Sequence, residues 1–162
     1  MTEIQTVPQS SISADAVTGV AQFLAPVVTD LTALYVDGKQ AHWHVRGANF
    51  QAIHLLLDEV VEHAREYADT AAERVVALGL PLDVRIQTVG LKATNPQLTA
   101  GFQQSDTVIA EVIASIDATL VTVRTAIDEL GELDAASQDV AIEIARGLEK
   151  DRWFLFAHLA TK

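Results

Sequence analysis

The chain has 162 residues, 11 of them lysine or arginine against 22 aspartate or glutamate, for a formal charge of −11. Its size suits one domain, its 49% hydrophobic content excludes a disordered chain, and the absence of cysteine excludes disulfides, thiolate metal sites and a thiol nucleophile. The acidic balance argues against holding nucleic acid by general phosphate neutralisation and leaves cations as ligands.

The opening residues are rich in Thr, Gln and Ser, carry Pro8 and show no apolar period. Residues 1–13 are therefore expected to be a flexible tail ahead of one domain over 14–162. No basic stretch precedes an apolar one, which argues against a secretory signal and for a cytoplasmic protein. The first basic residue is Lys39. In the first helical segment Val17, Ala21, Leu24, Val28, Leu31 and Tyr35 recur at intervals of three and four. Pro26 interrupts it, so the helix either kinks there or begins its regular part nearby. The charge-free run between Asp15 and Asp30 is expected to be too short to span a bilayer, and no membrane partner is expected.

A turn at Gly47 leads to the second segment, with Ile53, Leu57, Val60, Ala64, Tyr67, Ala71 and Leu78, closed by Gly79-Leu80-Pro81. A connection from about Leu80 to Gln104 follows, long enough to cross a bundle, with a short helix expected over Asp83–Val89. The third segment carries Ile109, Ile113, Ile116, Leu120, Val123, Ile127 and Leu130 and stops at Gly131. The fourth carries Val140, Ile144, Leu148 and Leu155. Four apolar stripes and one long crossover predict an all-α four-helix bundle, wired up-up-down-down or in the ferritin manner.

The histidines and acids carry the chemistry. His42, His44, His54 and His63 fall close together, with Asp58, Glu62, Glu66, Asp69 and Glu73 among and after them. His54 and Asp58 are four residues apart, as are Asp69 and Glu73, so each pair shares a helix face. A run of acids on one face is a solvated surface or a cation site, and imidazole with carboxylate suits iron, manganese or zinc. The residues three before each histidine are Lys39, Ala41, Gln51, Val60 and Leu155, so the Glu-x-x-His motif of intrachain di-iron bundles is absent.

His42 and His54 flank the turn at Gly47 and lie at similar heights if the two helices pack antiparallel. Asp69 lies 15 residues beyond His54, roughly 22 Å along a helix. One chain cannot close those ligands on one ion, but two chains can when their second helices run antiparallel about a two-fold near Glu62–His63. His63 is then expected as an interface histidine. His44, about 200° around the helix from His42, is expected to back the site or lie on the surface. His158 is expected on the surface, and Trp153-Phe154-Leu155-Phe156 is expected to pack.

The stretch His42-Trp43-His44-Val45-Arg46-Gly47, then Phe50, Ile53-His54, Asp58, Asp69 and Ala72-Glu73-Arg74, with Leu34-Tyr35 and Lys39-Gln40-Ala41 before it, resembles the Dps family of mini-ferritins. The resemblance implies a ferritin-like bundle with a short helix in the crossover, assembled as a hollow dodecameric shell. It implies that His42, His54 and Asp58 of one subunit and Asp69 and Glu73 of its two-fold mate bind iron. There Fe²⁺ would be oxidised, preferably by hydrogen peroxide, and Fe³⁺ mineralised inside the shell. Trp43 looks like the family's tryptophan beside that centre; a packing anchor is the other reading. Asp134 and Asp139, near Glu132 and Glu143, match the acidic three-fold channels of related shells, although acids at a helix start also answer the helix dipole. Phe156 stands where the family usually has a basic residue.

Two other functions compete. Relatives that compact DNA commonly use lysine- or arginine-bearing tails, which this sequence lacks, so direct DNA binding is not expected. The same ligands could support metal-dependent amide or ester hydrolysis.

Overall fold

A computed structural model describes residues 12–159. Its elements are α1 (Ala14–His44), β1 (Val45–Arg46), α2 (Phe50–Ala77), α3 (Ile86–Lys92), β2 (Gln103–Gln104), α4 (Ser105–Leu130) and α5 (Ala135–Ala157). Residues 1–11 of the expected tail lie outside the described residues. Its last two residues belong to the folded body: Ile12 packs on the core, and the Ser13 hydroxyl accepts the Ala16 N–H at 3.2 Å as the N-cap of α1.

The four long helices bury the predicted stripes. Val20, Leu24, Val27, Leu31 and Leu34 of α1 meet Ile53, Leu57, Val60 and Ala64 of α2, with Ile109, Val112, Ile116 and Val123 of α4 and Ile144, Leu148 and Leu155 of α5. Each such large side chain removed from water contributes about 1.5–3 kcal/mol against the entropy of ordering the chain. On α1 Leu24, Val28 and Leu31 of the expected stripe are buried, while Val17, Ala21 and Tyr35 are only partly covered.

α1 runs unbroken through Pro26, whose ring is exposed. By length and composition alone α1 could cross a membrane, contrary to the sequence expectation. Here its apolar face lies in the bundle, and Asp30 in its middle is buried and fully hydrogen-bonded. The closing aromatic run packs less than expected. Leu155 is buried, but Trp153 and Phe156 are largely exposed.

The crossover decides the wiring. Gly79 ends α2 with φ +94°, a left-handed conformation that glycine adopts without a Cβ penalty. The short helix begins at Ile86, three residues later than expected, because Asp83 instead forms the anchor ahead of it. Its carboxylate accepts from the Arg85 side chain at 2.8 Å and from the Thr88 hydroxyl at 3.0 Å. Beyond α3 the chain is pinned twice to the bundle. Asp30 accepts from the Thr94 N–H at 2.8 Å, the Thr94 hydroxyl at 2.7 Å and the Thr122 hydroxyl at 2.6 Å. The Asn95 amide donates to Ser115 Oγ at 3.0 Å and Thr119 Oγ1 at 2.9 Å. β2 then pairs in parallel with β1, Val45 opposite Gln103 and Arg46 opposite Gln104. The crossover has therefore returned to the end where α1 gives way to α2. Helix α4 starts there, parallel to α2, and α5 comes back beside it. This is the ferritin manner, not up-up-down-down.

Candidate metal centre

The α1–α2 turn brings two of the predicted ligands into one motif. His42 lies in the last turn of α1 and His54 in the first turns of α2. Gly47, at φ +120°, permits the reversal between them. The two imidazoles stack with centroids 3.7 Å apart and planes 21° from parallel. Each Nδ1 donates to the other residue's backbone carbonyl, His42 to His54 O at 2.7 Å and His54 to His42 O at 2.9 Å. A carbonyl only accepts, so both Nδ1 atoms carry the proton, and in the neutral rings both Nε2 lone pairs are left free. Backbone hydrogen bonds of this kind fix ring orientation and raise the basicity of a histidine ligand. His42 is buried, and Phe50 lies against the His54 ring at 5.1 Å.

Asp58, one turn beyond His54, stands with Oδ1 3.9 Å from His42 Nδ1 and pairs with the Lys39 ammonium. The hydrogen bond from Lys39, with the nearby His42 and His54 rings, holds its carboxyl below the usual range. Asp58 is thus beside the histidines but committed to a cation of its own chain. Trp43 is 62% exposed and lines an open groove with Tyr35, Val36, Lys39, Asp58 and Glu62. It is not an intrachain packing anchor.

Asp69 and Glu73 are exposed, further along α2 on the side that carries His54 and Asp58. Among the described residues, no three His, Asp or Glu side chains of one chain gather closely enough to hold an ion. His42 and His54 come together, Asp58 comes near them, and Asp69 and Glu73 stand apart.

His63 differs from expectation. It lies nine residues from His54, about 180° around α2, and so faces away from the acid-bearing side. Its Nδ1 donates to the buried Asp151 of α5 at 2.9 and 3.1 Å. Burial pushes the Asp151 carboxyl above its ordinary range, with His63 opposing. His44 is half-exposed, bonds Gln40 O at 2.8 Å and touches Phe102, over whose ring Arg46 lies at 3.4 Å. His158 is exposed, as expected.

The channel candidates separate. Asp139 is exposed. Asp134 is nearly covered and serves as the N-cap of α5, accepting from the Ser137 N–H at 2.9 Å, its hydroxyl at 2.5 Å and Arg74 at 2.6 Å. Burial alone would push its carboxyl up, but the bonds from Ser137 and Arg74 hold it below the usual range. The helix-start reading accounts for Asp134.

Residues 22–162 match the ferritin-like domain family, which sets the class. The structure of Dps from Microbacterium arborescens in the high iron form is 56% identical and superposes with a TM-score of 0.91, covering 94% of this chain and 99% of that one. The DNA protection during starvation protein of Mycolicibacterium smegmatis is 35% identical over 144 residues, 86% of this chain and 76% of the relative. DpsA14 from Streptomyces coelicolor is 28% identical with a TM-score of 0.89, covering 96% and 92%. The chain belongs to the Dps family of ferritin-like proteins.

Proposed function

We propose that this protein is a ferroxidase and iron store that protects the cytoplasm in starvation and oxidative stress. Its site is shared across a two-fold: His42, His54 and Asp58 of one subunit, Asp69 and Glu73 of the other. The observation that carries the reading is the reciprocal histidine clasp, which leaves two Nε2 donors prepared as ligands while the chain's own anionic donors lie too far along α2 to join them. Two antiparallel copies of α2 supply the missing carboxylates. Imidazole and carboxylate together bind Fe²⁺ and favour Fe³⁺ through the anionic oxygens. Two Fe²⁺ give one electron each to hydrogen peroxide, which takes up two protons and leaves as two waters. The Fe³⁺ then hydrolyses and mineralises inside the shell.

We take the assembly to be the dodecameric shell of the family; the apolar side chains that one chain leaves in water, among them Ile86, Leu91, Trp153 and Phe156, support burial against further copies. Exposed Asp139 is our candidate for a channel admitting iron, with Asp134 holding the helix end in place. Protection of DNA proceeds by removing iron and peroxide, since the acidic surface opposes phosphate contact. The test is peroxide-driven Fe²⁺ oxidation by His54→Ala and Asp69→Ala variants. Each should fall by roughly a hundredfold, and wild-type rates in both would remove the site.

A further inference from the structure

We infer that Glu62 and Arg65 form a reciprocal charge lock on the dimer two-fold and set the register that completes the shared site. The inference rests on the site proposed above. For His54 and Asp58 to meet the partner's Glu73 and the partner's Asp69, facing residues on the two α2 helices must have numbers that add to 127. The axis then passes between positions 63 and 64. Glu62 and Arg65 also add to 127, so in this register Glu62 faces the partner's Arg65 and Arg65 faces the partner's Glu62. They share the correct side of the helix. At about 100° per residue, positions 54, 58, 62, 65, 69 and 73 all lie within roughly 100° of one another, whereas His63 points away and is held by Asp151.

The charges are already prepared. Within one chain the Arg65 guanidinium forks onto Glu62, its Nε donating to Oε2 at 3.1 Å and its second nitrogen bonding Oε1. Both side chains are exposed. A second chain places an identical pair alongside with its charges reversed, so four groups alternate in sign around the axis. A register slipped by four residues breaks both pairings: facing numbers then add to 131 or 123, Glu62 meets the partner's Asp69 or the partner's Val61, and the partner's Glu73 no longer faces His54. Exposed Val76 gains a use as well, since the same register sets it opposite the partner's Gln51, beside the partner's Phe50 and His54.

The test uses single charge reversals, alone and mixed. Arg65→Glu puts four acids on the axis and Glu62→Arg puts four bases there, so each variant should lose two-fold association by roughly a hundredfold or more. Co²⁺ bound at the shared site, read by its visible absorption, should be lost with it, although every ligand is intact. Mixing the two variants restores opposite charges across the axis only between unlike chains. Heterodimers should form and Co²⁺ binding should return, even though the intrachain pair is broken in both. Circular dichroism of each variant reports folding. Wild-type association and Co²⁺ binding in either single variant would overturn the lock, as would helical variants that fail to recover on mixing. Unchanged Co²⁺ binding in the His54→Ala/Asp69→Ala protein would instead refute the shared site itself.

Discussion

Replacing Asp30 by alanine tests whether the crossover is fastened where the structure places it. The carboxylate is 1% exposed and accepts three hydrogen bonds of 2.6–2.8 Å from Thr94 and Thr122. A hydrogen bond to a charged group contributes about 1.5–3 kcal/mol, but one substitution removes all three together. Thr94 is exposed and can turn to water, while Thr122 is half-buried and keeps part of the penalty. The net loss should be about 2–3 kcal/mol, a fall in Tm of about 4–12 °C for a chain of this size. Thermal circular dichroism at one protein concentration measures it, since assembly itself stabilises the fold. Amide exchange adds a local reading: the Thr94 N–H should lose protection while the α1 core keeps it. A Tm within about 2 °C of wild type with Thr94 still protected would refute the fastening.

Two further outcomes follow from particular contacts. A Cβ at Gly147 would stand 1.9 Å from Tyr67 Oη, so Gly147→Ala should cost about 1–3 kcal/mol, and Tyr67→Ala in the same chain should remove the clash; chemical denaturation of the three variants checks this. Because Asp134 has its carboxyl held down in the folded state, its stabilisation is present above the ordinary carboxylate pKa and is lost as pH falls through the lowered folded value. Asparagine caps a helix about as well as aspartate, so the loss in Asp134→Asn comes from the charged bond to Arg74 and should be about 0.5–2 kcal/mol at neutral pH, with the gap to wild type closing in acid; stability measured from pH 7 to 2 checks the sign.

The local signals in the sequence carried far. Apolar spacing located all four long helices, and Gly47 and Gly79 marked turns that need positive φ. His42 and His54 come together because they flank a short reversal, which their spacing in the sequence already shows. What escaped depends on partners distant in the chain. Nothing near Asp30 announces Thr94 or Thr122, and nothing near His63 announces Asp151, so helix periodicity set His63 at a height without showing that α5 would claim it. Asp134 had two readings because a capping acid and a channel acid look alike until Arg74 is seen beside it. The start of α3 is not legible in the sequence, because Asp83 acts before the helix and not within it. The exposure of Trp153 and Phe156 follows from a hydrophobic run longer than the stripe α5 can bury.

The histidine clasp binds the fate of the site to that of the fold. His42 O belongs to the last turn of α1, among the carbonyls a helix leaves without an intrahelical donor, and the His54 side chain supplies that donor. The ring of the proposed ligand is therefore also a helix cap, and the cap also orients the His42 ring beside it. Loss of His54 would therefore loosen the end of α1 and the His42 ring together, so a change there is felt in the hairpin as well as in the proposed iron site.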